Sequence, residues 1–218
     1  MLICFLSGLA VRKGEMFMKQ QNNEKLPTYK RQRFLLEFIR QLKSKITATN
    51  LQKLIFLYTR VEDSSYYDFV QYKFGAYSFQ LDEDIGILQR DGYISINSDS
   101  NSRQIKALGE YTQTHNFIIP PERGDKLIRK TYLEYPYFAI NSEIAMRVLD
   151  KNEYCQHILQ RHKYSRANEL LFTIGYEGKN IENFINILLH NDVRRLCDLR
   201  KNPLSRKFGF SKKSYNIF

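Results

Sequence analysis

Cysteine is scarce in this chain: Cys4, Cys155 and Cys197 lie far apart and in unrelated contexts. That excludes the disulfide framework that staples small secreted domains, and the spacing excludes a paired-cysteine metal site. A reducing, cytoplasmic setting is expected. Long apolar runs are also lacking. Met1 to Ala10 is apolar, but about ten residues cannot cross a bilayer core. It has neither a basic stretch before it nor a small-x-small cleavage site after it, so a secretory signal is not expected. No membrane partner is expected either. Acidic residues are in deficit, with 23 Asp and Glu against 34 Lys and Arg, a formal charge of +11. The excess favours polyanionic partners, nucleic acid first, and names no reaction. Internal repeats and low-complexity blocks are absent from the sequence, which excludes a repeat array.

The 218 residues present suffice for two domains of about 100 residues each. Arg12-Lys13-Gly14-Glu15 is what a purine-rich ribosome-binding site would spell if translated, and Met16 and Met18 come directly after it. The native start is therefore expected at Met18, with residues 1–17 an upstream segment. The intact mass of protein made from the native upstream DNA checks this.

From Lys30 to Leu42, Phe34, Leu35, Phe38, Ile39 and Leu42 recur at helical spacing with Arg31, Arg33, Glu37 and Arg40 between them. The pattern predicts an amphipathic helix with a basic outer face. Thr49 or Asn50 is expected to cap a second helix carrying Leu51, Leu54, Ile55, Leu57 and Tyr58. Tyr66 to Phe74 reads as a short extended segment broken by Gly75. Ser78 is expected to cap a third helix that runs through Leu81, Ile85 and Leu88 and stops at Gly92. Tyr93 to Ile96 and Gln104 to Leu108 flank the polar stretch Asn97 to Ser102 and predict a β-hairpin. Helices followed by a hairpin make a winged-helix-like α+β module over residues 18–113.

Residues 114–168 are expected to be a connector, helical in pieces. Pro136 punctuates it, and Asn141 or Ser142 would cap the next helical piece. The boundary with the second half is placed in the polar stretch Arg161 to Asn168. Tyr132, Tyr135, Tyr137 and Phe138 could stack on bases, but aromatic residues around a proline usually pack a core. Cys155, His157 and His162 match no familiar ligand spacing, so no metal site is expected.

In residues 169–218, Leu170 to Ile174 is a compact apolar run ending at Gly175. Tyr176-Glu177-Gly178 comes next, then Ile181, Phe184, Ile185, Leu188 and Leu189 at helical spacing, then Val193 to Leu199. The order predicts an incomplete α/β domain of strand, helix and parallel strand, with Cys197 buried in the second strand. Sites in such sheets lie outside the carboxyl ends of the strands, where loops and helix N-termini converge. Gly175, Tyr176, Arg200, Asn202, Ser205 and Arg206 are therefore candidates for anion or phosphate binding. Glu177 and Asp198 are candidate catalytic groups that could serve as general base, metal ligand or arginine partner. Arg31, Arg33, Arg40, Arg103 and Lys106 are candidate nucleic-acid contacts. Asp82, Glu83 and Asp84 suit the start of the third helix but oppose its insertion among phosphates.

Thr173-Ile174-Gly175-Tyr176-Glu177-Gly178, then Asp198-Leu199-Arg200-Lys201-Asn202-Pro203-Leu204-Ser205-Arg206, then Phe208-Gly209-Phe210-Ser211-Lys212, resembles the opening of the domain-of-unknown-function 488 family. The likeness covers Leu170 to about Tyr215 and implies a fold and a site, with no reaction assigned. Domains of that family continue through further strands and helices, commonly with a later Cys-His-Arg segment, so this chain reads as truncated. Leu51-Gln52-Lys53-Leu54, with Tyr72-Lys73-Phe74-Gly75-Ala76-Tyr77-Ser78, resembles the N-terminal extension of longer members. It is also similar to antitoxin-like domains of mobile-element and toxin–antitoxin systems, and an association with mobile elements or phage defence is expected. The expectation is a nucleic-acid- or nucleotide-related role. The alternatives are a non-enzymatic, antitoxin-like regulator that binds a protein, and a remnant of a longer protein. The residues name no cofactor.

Overall fold

The computed structural model of the chain describes residues 26–62, 66–99, 102–109, 115–159, 170–202 and 204–211. Met18, His162 and the boundary at Arg161 to Asn168 lie outside the described residues. The architecture is α+β, built from helices and two small antiparallel sheets.

Helix α1 (Lys30–Gln41) buries Phe34, Leu35, Phe38 and Ile39, as its periodicity predicts. Its arginines do not all face outward. Arg40 is buried and Arg31 reaches inward to Asp84, because the burial stripe is wide enough to take in both positions. Strand β1 (Ile46–Thr47) is too short to show a period and was not expected. It ends at the cap of helix α2 (Ala48–Val61), where the Thr47 hydroxyl accepts the Asn50 amide at 3.2 Å. Thr49 and Asn50, the expected caps, lie inside the helix, since Thr47 is the last residue with extended backbone. Every residue from Leu51 to Leu57 is buried, so α2 runs through the middle of the fold.

The segment expected to be extended up to Gly75 holds strand β2 (Val70–Tyr72) and its turn, and the return strand β3 (Gly75–Tyr77), which was not expected, completes a hairpin. Gly75 opens the return strand with φ +88, and a Cβ there would sit 2.5 Å from the Tyr132 ring. Only glycine satisfies both the turn and the close approach. Helix α3 (Phe79–Arg90) is capped by Ser78 as expected, its hydroxyl accepting the Leu81 amide. Strands β4 (Ile94–Asp99) and β5 (Ser102–Ala107) form the expected hairpin, and β1 adds to its far side in the order β1-β5-β4. Ile46, Ile94 and Ile105 turn the apolar face of this sheet into the core shared with α1, α2 and α3.

The connector belongs to the same body. Phe117, Leu127 of helix α4 (Gly124–Glu134) and Phe138 of the 3₁₀ turn Pro136–Ala139 all join the main core. Tyr132 is fully buried and Tyr135 packs on this core, whereas Tyr137 is exposed. Helices α5 (Ala145–Val148) and α6 (Lys151–Leu159) come next in the chain. Neither Asn141 nor Ser142 is the N-cap of α5. That residue is Ile144, whose own amide donates to the Ser142 hydroxyl at 3.3 Å.

Helix α7 (Ile181–His190) forms where expected, capped by Asn180. The strands predicted on either side of it do not. Residues 170–174 and 193–199 carry no ladder, and both described sheets are antiparallel. The reason lies in where α7 spends its apolar face. Ile181 and Phe184 pack with Val70, Phe79 and Phe210 against the β2–β3 hairpin, leaving Leu171 95% and Leu199 89% exposed. Cys197, expected to be buried in a strand, is exposed as a result. No described helix is long and apolar enough to cross a membrane.

Candidate functional site

The two loops flanking α7 bring some of the candidate residues together. Asp198 is held by Arg200 through two bonds, Nε to Oδ1 at 2.8 Å and Nη2 to Oδ2 at 2.7 Å, and it accepts the Arg200 amide as well. The guanidinium pulls the Asp198 carboxyl down to about 2, so it is a weak proton acceptor near neutrality. Of the three roles open to Asp198, this geometry supplies the arginine partner. Arg200 also lies 5.1 Å from the centre of the Tyr176 ring and donates to the Phe210 carbonyl at 3.0 Å. Tyr176 stacks on Phe210, and Lys207 donates to the Tyr176 carbonyl at 3.1 Å. Gly209 packs against α7 so closely that a Cβ there would fall 2.6 Å from Ile181, at φ +82. Tyr176, Asp198, Arg200, Lys207 and Phe210 therefore make one cluster that seats the loop on α7.

The remaining candidates are not drawn into it. Glu177, Gly175 and Arg206 are exposed. Asn202 accepts the Leu204 amide and Ser205 accepts the Lys207 amide, so both side chains shape local turns. In the first half, Arg31 donates to Asp84 at 2.6 Å, Arg103 pairs with Asp82, and Arg40 is buried. Arg33 is exposed, and its guanidinium donates to the Pro27 and Thr28 carbonyls. Lys106 is exposed on β5.

The densest polar chemistry lies elsewhere, around residues 76–84. Asp84 is fully buried and accepts from Arg31, from Gln32 Nε2 at 2.9 Å and from the Tyr67 hydroxyl at 3.0 Å. Gln52 exchanges two bonds with the Ser78 backbone, at 3.0 and 2.9 Å. Lys53 is 1% exposed and donates to the Ala76 carbonyl at 2.6 Å, and burial lowers its pKa to about 7. From the other side, Glu182 of α7 accepts the Ser78 hydroxyl at 3.1 Å and the Gln80 amide at 2.8 Å, and burial pushes its carboxyl up. The start of α3 is thus gripped by α2 and capped by a carboxylate 102 residues away from Gln80. Sequence reasoning did not single out Lys53, Asp84 or Glu182 as a group. The available signal was Lys53, a charged residue lodged inside the apolar run of α2; Asp84 and Glu182 sit among polar neighbours that gave none.

Among the described residues, no group of three His, Cys, Asp or Glu side chains is placed to hold a metal ion. Compared with known proteins, the chain matches no family model, no curated protein and no solved structure.

Proposed function

We propose that this is a nucleic-acid-associated binding protein, a winged-helix-like module carrying a basic C-terminal segment that contacts the phosphate backbone. The observation that carries the proposal is the charge of that segment. Residues 194–218 hold eight Lys or Arg against the single acid Asp198; Arg195, Lys201, Arg206 and Lys207 are exposed, as is Arg194, which pairs with Asp192 just before the segment. Exposed cations of this density attract phosphates without reading sequence. The order helix, strand, helix, hairpin, helix, hairpin, with strands arranged β1-β5-β4, supports the winged-helix-like reading of the first half once the β2–β3 hairpin is taken as an insertion between its second and third helices. The motif from Thr173 to Lys212 supports reading the second half as the opening of a domain of the domain-of-unknown-function 488 type.

One observation favours a second reading, a regulatory protein-interaction module of the antitoxin-like kind. Arg31 and Arg103 are paired with the acids of α3, and Arg40 is buried, so three of the five first-half contact candidates already serve the fold. Titration of the full chain with single-stranded DNA, duplex DNA and RNA at two salt concentrations separates the readings. For duplex DNA, removing one phosphate-binding cation lowers the slope of log affinity against log salt by about 0.9. Arg195→Ala with Arg206→Ala is therefore expected to lower it by about 1.8. Binding that ignores both salt and the double variant contradicts the nucleic-acid proposal, and absence of binding leaves the protein-interaction reading.

A further inference from the structure

Helix α7 is seated on the β2–β3 hairpin and the start of α3 by contacts that repeat with helical register. Asp68 accepts the side-chain amides of Asn180 at 2.5 Å and Asn183 at 3.2 Å, and the Phe69 carbonyl accepts that of Asn186 at 2.8 Å. Residues three apart share one helix face, so the acceptors of 68–69 read a helix and not an extended strand. Glu182 adds a directional contact, since the first amides of α3 lack helical partners and its carboxyl accepts one of them, from Gln80, together with the Ser78 hydroxyl.

The apolar side of this seat is incompletely filled. An open cleft of about 490 Å³ lies between Val70, Tyr72 and Phe79 on the hairpin side, Phe184 and Leu188 on α7, and Val193 and Leu196 of the flank that follows α7. Apolar atoms lining it forgo dispersion contacts across the opening. The flanks of α7 add no ladder to hold it, because 170–174 and 193–199 are unpaired. Its apolar face can also be used only once. If those flanks pair as the parallel strands that their sequence favours, the helix must turn Ile181 and Phe184 toward the new sheet and leave the hairpin.

We propose that residues 68–80 form a docking socket for an amphipathic helix of a partner protein, with α7 occupying it in cis. The recognised helix carries a carboxylate in its first turn, a large apolar residue just before it and further ones two, three and six positions after it. This is the pattern that Ile181, Glu182, Phe184, Ile185 and Leu188 present. A helix with bulkier side chains at the later positions fills the cleft and displaces α7. The proposal does not depend on nucleic-acid binding.

The probe is a fluorescent peptide of residues 179–192, titrated by anisotropy into three full-length chains: the wild type, Ile181→Ala with Phe184→Ala, and Gly209→Ala. The last strains the α7 seat through Ile181 and changes no socket or helix residue. Both variants are expected to bind the peptide at least about tenfold more tightly than the wild type, whose socket is occupied. A peptide carrying Glu182→Ala is expected to bind either variant at least about tenfold more weakly than the parent peptide. Far-UV circular dichroism verifies that each variant keeps its helices, and Gly209→Ala carries the test alone if the double variant unfolds. Equal peptide affinity for wild type and folded variant, or indifference to Glu182, overturns the proposal.

Discussion

Lys53 offers a quantitative check on the buried network, because its titration has a defined sign and window. The side chain is 1% exposed, and burial lowers its pKa from 10.5 to about 7. Between those values the unfolded chain holds a proton that the folded chain has released, so unfolding takes one up and stability rises with pH. The burden is full below about pH 7 and gone above about pH 10.5. Each pH unit well inside the window is worth about 1.4 kcal/mol. From pH 7 to pH 9 the gain is about 2 kcal/mol, somewhat under two full units because the folded group is still half protonated at pH 7. Lys53→Met keeps the length of the stem, loses the bond to Ala76 and removes the titration. Urea unfolding of both proteins at the two pH values gives the double difference, in which groups common to both cancel. The wild type is expected to gain about 2 kcal/mol relative to the variant between pH 7 and pH 9. Parallel pH profiles would refute a neutralised, buried Lys53.

Glu182 should show the opposite sign. Burial raises its pKa above the ordinary 4.5, so the folded chain holds the proton longer than the unfolded one. Its contribution is greatest below that value and declines as pH rises through the window. Glu182→Gln keeps an acceptor for the Gln80 amide, so melting temperatures between pH 4 and pH 7 should fall less steeply than in the wild type. An unchanged profile would count against this assignment. Asp84→Ala strands Arg31, Gln32 and the Tyr67 hydroxyl around a buried void and should cost about 3–5 kcal/mol in urea unfolding. A loss under about 1 kcal/mol would mean that the network contributes little.

The elements legible in the sequence are those whose signals are local. The apolar spacing of α1 and α7, the Ser78 cap and the two strand-like runs of the β4–β5 hairpin each rest on residues close together in the chain. What stayed hidden depends on partners brought together by folding. Two residues make β1, and only its pairing with β5, Ile46 opposite Ile105, identifies it as a strand. The run Leu170 to Ile174 has a strand's composition, but composition supplies no ladder, and α7 has committed its apolar face to the hairpin. The same distinction divides the candidate site. Asp198 and Arg200 are two positions apart, so their pairing could be anticipated. Glu182 meets Ser78 across 104 positions, and no spacing rule connects them.

Photocrosslinking reports where nucleic acid lies on the chain as well as whether it binds. The full chain is irradiated with a bromodeoxyuridine-substituted oligonucleotide at low salt, and adducts are mapped by mass spectrometry. Adducts are expected on peptides from residues 192–211, abolished when Arg195→Ala and Arg206→Ala are combined. Adducts confined to α3 and the β4–β5 hairpin, or none under conditions that crosslink a control protein, would contradict phosphate binding by the C-terminal segment.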